Sequence, residues 1–122
     1  MESEKNKHPD EQLIKKLLGF AYDDWGDMHV YVNELQGSLS LSAPDTKIKE
    51  TFFDLFIIFI NNEWIICSDP EASNSSDGTV NGIKAVALIE ERWKQIAYSL
   101  PDFGEIMWFT LTEKGKQKYN EL

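Results

Sequence analysis

Apolar residues recur at spacings of three and four along the first part of the chain. Leu13, Leu17, Phe20 and Ala21, widened by Ile14 and Leu18, predict an amphipathic helix that opens at Pro9 or Asp10 and runs to about Tyr22. Gly26 and Asp27 read as a break and a fresh N-cap, followed by a second stripe of Met28, Tyr31, Val32 and Leu35. Val30–Val32 equally supports a strand. Gln36 to Pro44 reads as a loop, and Asp45 as the cap of a central helix over Thr46–Asn61. One face of that helix carries Ile48, Phe52, Leu55, Phe56 and Phe59, a second Phe53, Ile57 and Ile60. Glu63 to Ser68 is a predicted strand. A further helix is predicted over Ile83 to Leu100, with Val86, Ile89, Trp93, Ile96 and Ala97 inward, Glu90, Glu91, Arg92 and Lys94 outward, and Pro101 as its stop. In the run from Phe103 to Gly115, the apolar first part, introduced by Pro101 and Gly104, suits a short buried strand. Thr112 then caps a closing helix whose first turn holds Glu113, where the helix dipole favours a carboxylate. The sum is a mainly helical α+β domain with about five helices and a small antiparallel sheet of two to three strands. It occupies residues 10–122, after a disordered tail at 1–9 and with a polar loop at 69–82.

Composition narrows the class. The chain has 122 residues, one cysteine and 42% hydrophobic residues, enough for a single domain with a modest core. No apolar run approaches the roughly 20 residues of a membrane helix. The charged N-terminus lacks the apolar segment of a secretory signal. With Cys67 alone, no disulfide framework is available, and a reduced cytoplasmic setting is expected.

Charge changes the picture more. The net charge is −9, and it is concentrated in residues 17–112, where Lys47, Lys49, Lys84, Arg92 and Lys94 stand against fifteen carboxylates. Such a body repels phosphate backbones and attracts basic surfaces. The central helix would be the reading element of a DNA-binding helix-turn-helix, yet its lysines, Lys47 and Lys49, stay in the first turn. Nucleic acid is therefore not the expected partner.

Motifs that would carry chemistry are scarce. Asp23, Asp24 and Asp27 flank Trp25, but paired acids do acid–base work only where an apolar pocket separates their pKa values; capping or a solvated turn explains them as well. His29 has no second ligand at helical spacing, so no metal is expected. Cys67 inside a strand pattern is a small buried apolar group by default, and a nucleophile only with a base beside it. The acids of the 69–82 loop, Asp69, Glu71 and Asp77, lack the spacing and closing glutamate of an EF-hand. The chain shows no phosphate-binding glycine loop, serine elbow, HExxH or CxxC motif. No enzyme activity and no cofactor are expected.

The segments Glu90-Glu91-Arg92-Trp93 and Gly104-Glu105-Ile106-Met107-Trp108-Phe109-Thr110-Leu111-Thr112-Glu113-Lys114-Gly115, with Asp23-Asp24-Trp25 ending the first helix, resemble the tails and openings of small bacterial winged-helix-like proteins. Size, acidity and layout are similar to the immunity proteins of contact-dependent growth inhibition and other polymorphic toxin systems. The resemblance implies a winged-helix-like domain that binds and neutralises a cognate toxin, such as a basic nuclease domain, and it supplies no catalytic motif. An inhibitor of that kind gains rate and specificity from an acidic face. The candidate contacts are Asp23, Asp24, Asp27, Asp69, Glu71, Asp77, Asp102 and Glu105. Those of Trp25, Tyr31 and Trp93 that are exposed are candidate aromatic anchors, Trp25 and Tyr31 foremost. The alternative is a winged-helix transcriptional regulator that binds DNA as a dimer through a basic face of Lys15, Lys16, Lys114, Lys116 and Lys118.

Overall fold

A computed structural model of the chain describes residues 9–23, 25–71 and 79–122. The expected tail at 1–9 lies outside them except for Pro9, as do Asp24 and residues 72–78 of the polar loop, Asp77 among them. The elements run in the order α1 (Pro9–Phe20), β1 (Gly26–Asp27), α2 (Met28–Leu39), α3 (Thr46–Asn61), β2 (Ile65–Ser68), β3 (Thr79–Val80), α4 (Gly82–Gln95), β4 (Trp108–Leu111) and α5 (Glu113–Glu121). The fold is mainly helical α+β.

Local chemistry sets the helix starts. Asp27, Asp45, Asn81 and Thr112 each accept a hydrogen bond from a backbone N–H in the first turn they cap. Once Asp27 has capped α2, the Val30–Val32 segment continues as helix rather than as the alternative strand. Met28, Tyr31, Val32 and Leu35 then point inward, as do Ile48, Phe52, Leu55, Phe56 and Phe59 of α3. The second face of α3 leaves Ile57 and Ile58 exposed, with Phe53 and Ile60 half-buried. Three ends differ from the sequence pattern. Helix α2 runs on to Leu39 and is closed by Ser40 in the left-handed region (φ 57°). Glu63 (φ 60°) makes the turn into β2, which therefore begins at Ile65. Helix α4 ends at Gln95, because Ala97 and Tyr98 adopt left-handed φ values of 54° and 59°. Ala97 is consequently exposed rather than inward, and Arg92 turns inward rather than out.

The sheet has four strands in the order β1-β4-β2-β3, every pair antiparallel. This exceeds the two to three expected. Strands β1 and β3 have two residues each, too few to leave a period-2 signal, and they exist only by pairing with partners far along the chain. Part of the expected 69–82 loop, Thr79–Val80, is thus a strand. Register places Cys67 beside Phe109 and Val80, and Ile65 beside Leu111, on the inner face. There Phe109 packs against Tyr31 of α2 (4.9 Å between ring centroids) and Phe56 of α3 (5.4 Å). On the opposite face Trp108 stands beside Asp27 and Ser68, and Thr110 beside Ile66. Among the described residues, no helix is long and apolar enough to cross a membrane.

Candidate functional site

Antiparallel register brings distant acids to one end of the sheet. Asp27 ends β1 and Ser68 ends β2, both opposite Trp108, the first residue of β4. Asp27, the Asp69/Glu71 pair and the Asp102/Glu105 turn therefore come to the same end, whereas Asp23 lies near Ala21, whose carbonyl accepts the Leu111 N–H at the other end of β4. The three segments are far apart in sequence and are joined there by hydrogen bonds.

Asp27 is the hub. One carboxylate oxygen accepts the backbone N–H of His29 at 2.9 Å, which is its capping bond. The other accepts the backbone N–H of Gly104 at 2.5 Å and the indole N–H of Trp108 at 2.9 Å. Gly104 reaches this position at φ 72°, a conformation costly to any residue with a Cβ, inside a turn closed by the Glu105 N–H on the Asp102 carbonyl. The Glu105 carboxylate in turn accepts the Asp102 N–H at 2.8 Å. His29 braces the turn from below. Its Nδ1 lies 2.7 Å from the Pro101 carbonyl oxygen, so that nitrogen carries the proton and donates, and its ring lies 4.1 Å from that of Phe103, tilted by 34°.

Beside this hub opens a cleft of about 460 Å³, lined by Phe20, Trp25, Gly26, Asp27, Val30, Phe103 and Trp108. Its aromatic walls are open to solvent: Trp25 is 45% exposed, Phe103 70% and Trp108 36%. Asp102, next to Phe103, is exposed, and Glu105 is half-buried. An aromatic wall with a carboxylate at its foot suits a partner that is at once apolar and cationic.

The third acidic cluster is arranged differently. Arg92 forms a two-pronged pair with Asp69, at 2.7 and 3.1 Å, approaches Glu71 at 3.5 Å, and also donates to the Ile106 carbonyl at 3.2 Å. The guanidinium bond holds the Asp69 carboxyl below its ordinary range, and the same bond raises Arg92. Asp69 is thus engaged inside the fold, and Glu71 retains the exposed charge.

Two predicted anchors are corrected. Tyr31 is 1% exposed and lies under the cleft floor, tilted against Phe20 and Phe109. Trp93 is buried between Phe52, Phe53 and Tyr98, its indole N–H bound to the Ser99 carbonyl at 2.8 Å. Both sit on inward helical stripes, so packing claims them. Phe20, Val30, Phe103 and Trp108 are the lining residues that sequence reasoning missed. The signal for Trp108 was present: in Trp108-Phe109-Thr110-Leu111 the tryptophan shares its strand face with a threonine.

Cys67 is buried, and burial pushes its thiol up to about 12, the reverse of an activated nucleophile. Among the described residues no group of three or more His, Cys, Asp or Glu side chains could hold a metal ion. The lysines of the alternative reading lie on α1 and α5. Lys15 sits over the Tyr119 ring (5.0 Å) and Lys116 over Tyr22 (5.6 Å), while Lys16 pairs with Glu34 and Lys114 with Glu63. No protein-family model matches the chain, and neither a curated protein nor a solved structure matches it.

Proposed function

We propose that this protein is an immunity-type inhibitor that binds a basic face of a cognate toxin through the acidic end of its sheet. The observation that carries the reading is the convergence of acids from three distant segments around a solvent-open aromatic cleft. Complementary charge speeds encounter and excludes wrong partners, while exposed tryptophan and phenylalanine provide the apolar area on which interface energy concentrates. The acids offered are Asp27, Asp102, Glu105 and Glu71. A nuclease toxin fits as the target, because its nucleic-acid cleft must be basic.

The test is a growth assay in a susceptible bacterium. The C-terminal domain of whatever protein the gene immediately upstream encodes is induced with and without this protein, and the mixture is purified. Rescue of growth together with a 1:1 complex is the expected result. Toxicity that persists despite soluble expression of the protein would overturn the reading.

One observation favours the DNA-binding alternative. Helices α1 and α5 pack together, and Lys15, Lys16, Lys114, Lys116 and Lys118 come from that pair. A gel shift with random duplex, lost steeply as salt rises, is the outcome that would transfer the assignment to this face.

A further inference from the structure

Asp27 is an anion held in place by neutral groups. Three donors, the N–H groups of His29 and Gly104 and the indole of Trp108, fix the carboxylate, and no ion pair to it forms among the described residues. Its full charge therefore faces the cleft, between apolar walls that strengthen its field. The indole–carboxylate bond also orients Trp108, so its ring stands beside the carboxylate on one wall of the cleft.

On the reading of the protein as a toxin inhibitor, we infer that this cleft receives an arginine side chain projecting from the basic face of the toxin. The guanidinium would lie against the Trp108 and Phe103 rings, over the carboxylate of Asp27. Arginine fits better than lysine for two reasons. Its planar, weakly hydrated head stacks on aromatic faces, whereas a compact ammonium stays strongly hydrated. Asp27 already spends accepting capacity on three donors, so a ligand bound mainly by stacking and by charge is favoured over one that demands a full set of short hydrogen bonds. The cleft lies low in the range of about 300–1,000 Å³ typical of ligand pockets, suited to one long side chain rather than to a helix or strand.

A probe independent of the toxin tests this. The full-length protein, labelled with ¹⁵N, is titrated with N-acetyl-arginine amide, N-acetyl-lysine amide and N-acetyl-citrulline amide, citrulline being the neutral isostere. The readouts are the indole N–H of Trp108 and the backbone N–H of Gly104. Arginine is expected to shift both with saturation on the order of millimolar, lysine more weakly, and citrulline not at all. Phe103→Ala, at a position 70% exposed and with its fold checked by the parent-like dispersion of the remaining amide signals, is expected to weaken the arginine effect at least about fivefold, as is Asp27→Asn. Equal shifts from citrulline, or an arginine effect indifferent to Phe103→Ala, would overturn the inference. The two proposals fail separately. If the toxin is neutralised and F103A and D27N bind it as tightly as the parent, the cleft assignment falls and the immunity reading stands. If arginine binds as expected but growth is not rescued, the cleft assignment stands and the immunity reading falls.

Discussion

Gly115, in the first turn of α5, is the residue at which two physical arguments predict opposite signs. Helix propensity alone says that Gly115→Ala should stabilise the protein by about 1 kcal/mol, since alanine loses less backbone entropy. The packing says otherwise. A Cβ at this position would stand 2.1 Å from the carbonyl oxygen of Trp64 and 3.0 Å from its carbonyl carbon. An ordinary carbon–oxygen approach is about 3.3–3.6 Å, so α5 would have to withdraw by roughly 1 Å or more. That movement opposes the bonds that dock the helix to the start of β2. The Thr112 N–H donates to the Trp64 carbonyl at 2.9 Å, and the Thr112 hydroxyl donates to the Glu63 carbonyl at 2.6 Å. Losing two such bonds costs about 1 kcal/mol each, and overpacking adds about 1–3. The Lys114–Glu63 pair cannot compensate, because both side chains are largely exposed. The net expectation is destabilisation by about 2–4 kcal/mol. Urea unfolding followed by tryptophan fluorescence measures it, with Gly37→Ala as an internal control. Gly37 also lies in a helix, but a Cβ there meets nothing within 4 Å. The control should therefore gain about 0.5–1 kcal/mol from propensity. A Gly115→Ala midpoint at or above the parent's, with unchanged slope, would refute the close-approach argument.

Two further substitutions probe the interior and the acid response. The Tyr31 hydroxyl is buried and finds no hydrogen-bond partner among the described residues. Tyr31→Phe should therefore leave stability unchanged or raise it by up to about 1 kcal/mol in the same urea experiment, and a loss larger than that would reveal a bond the hydroxyl makes. Asp69 has its folded-state pKa depressed by Arg92, so it contributes stability that is fully present above the ordinary aspartate value of about 3.9 and is lost as pH falls through the lower, folded value. Thermal melts from pH 6 to pH 2 should show this loss in the parent, while Asp69→Asn should be less stable near neutrality by about 1.5–3 kcal/mol and show a shallower acid limb. Parallel acid limbs in the two proteins would remove Asp69 as a contributor.

The helices were legible in the sequence because their signals are local. The stripe Met28, Tyr31, Val32, Leu35 and the α3 face from Ile48 to Phe59 are three-and-four spacings within one element, and Asp27, Asp45 and Thr112 are caps recognisable from their neighbours. What was not legible depends on pairing across the chain. Strands β1 and β3 have no pattern of their own, and only register puts Asp27 opposite Trp108. The acidic clusters could be found one by one, but not their convergence, nor the loss of Asp69 to an arginine 23 residues away. Tyr31 and Trp93 show a different failure. Their helical stripes already placed them in the core, and periodicity was the better guide than the preference of interfaces for aromatic residues.

The buried thiol of Cys67 makes the molecule its own clock. Cys67 lies on the inner face of β2, between Phe109 on β4 and Val80 on β3, so an alkylating reagent reaches it only when the sheet comes away from its helices. The rate of modification counts those openings directly, with no added label. A molecule that binds the closed form and not the opened one slows that count by a factor of one plus the ratio of its concentration to its dissociation constant. The single cysteine thus turns an affinity into a reaction time, read by mass from one sample.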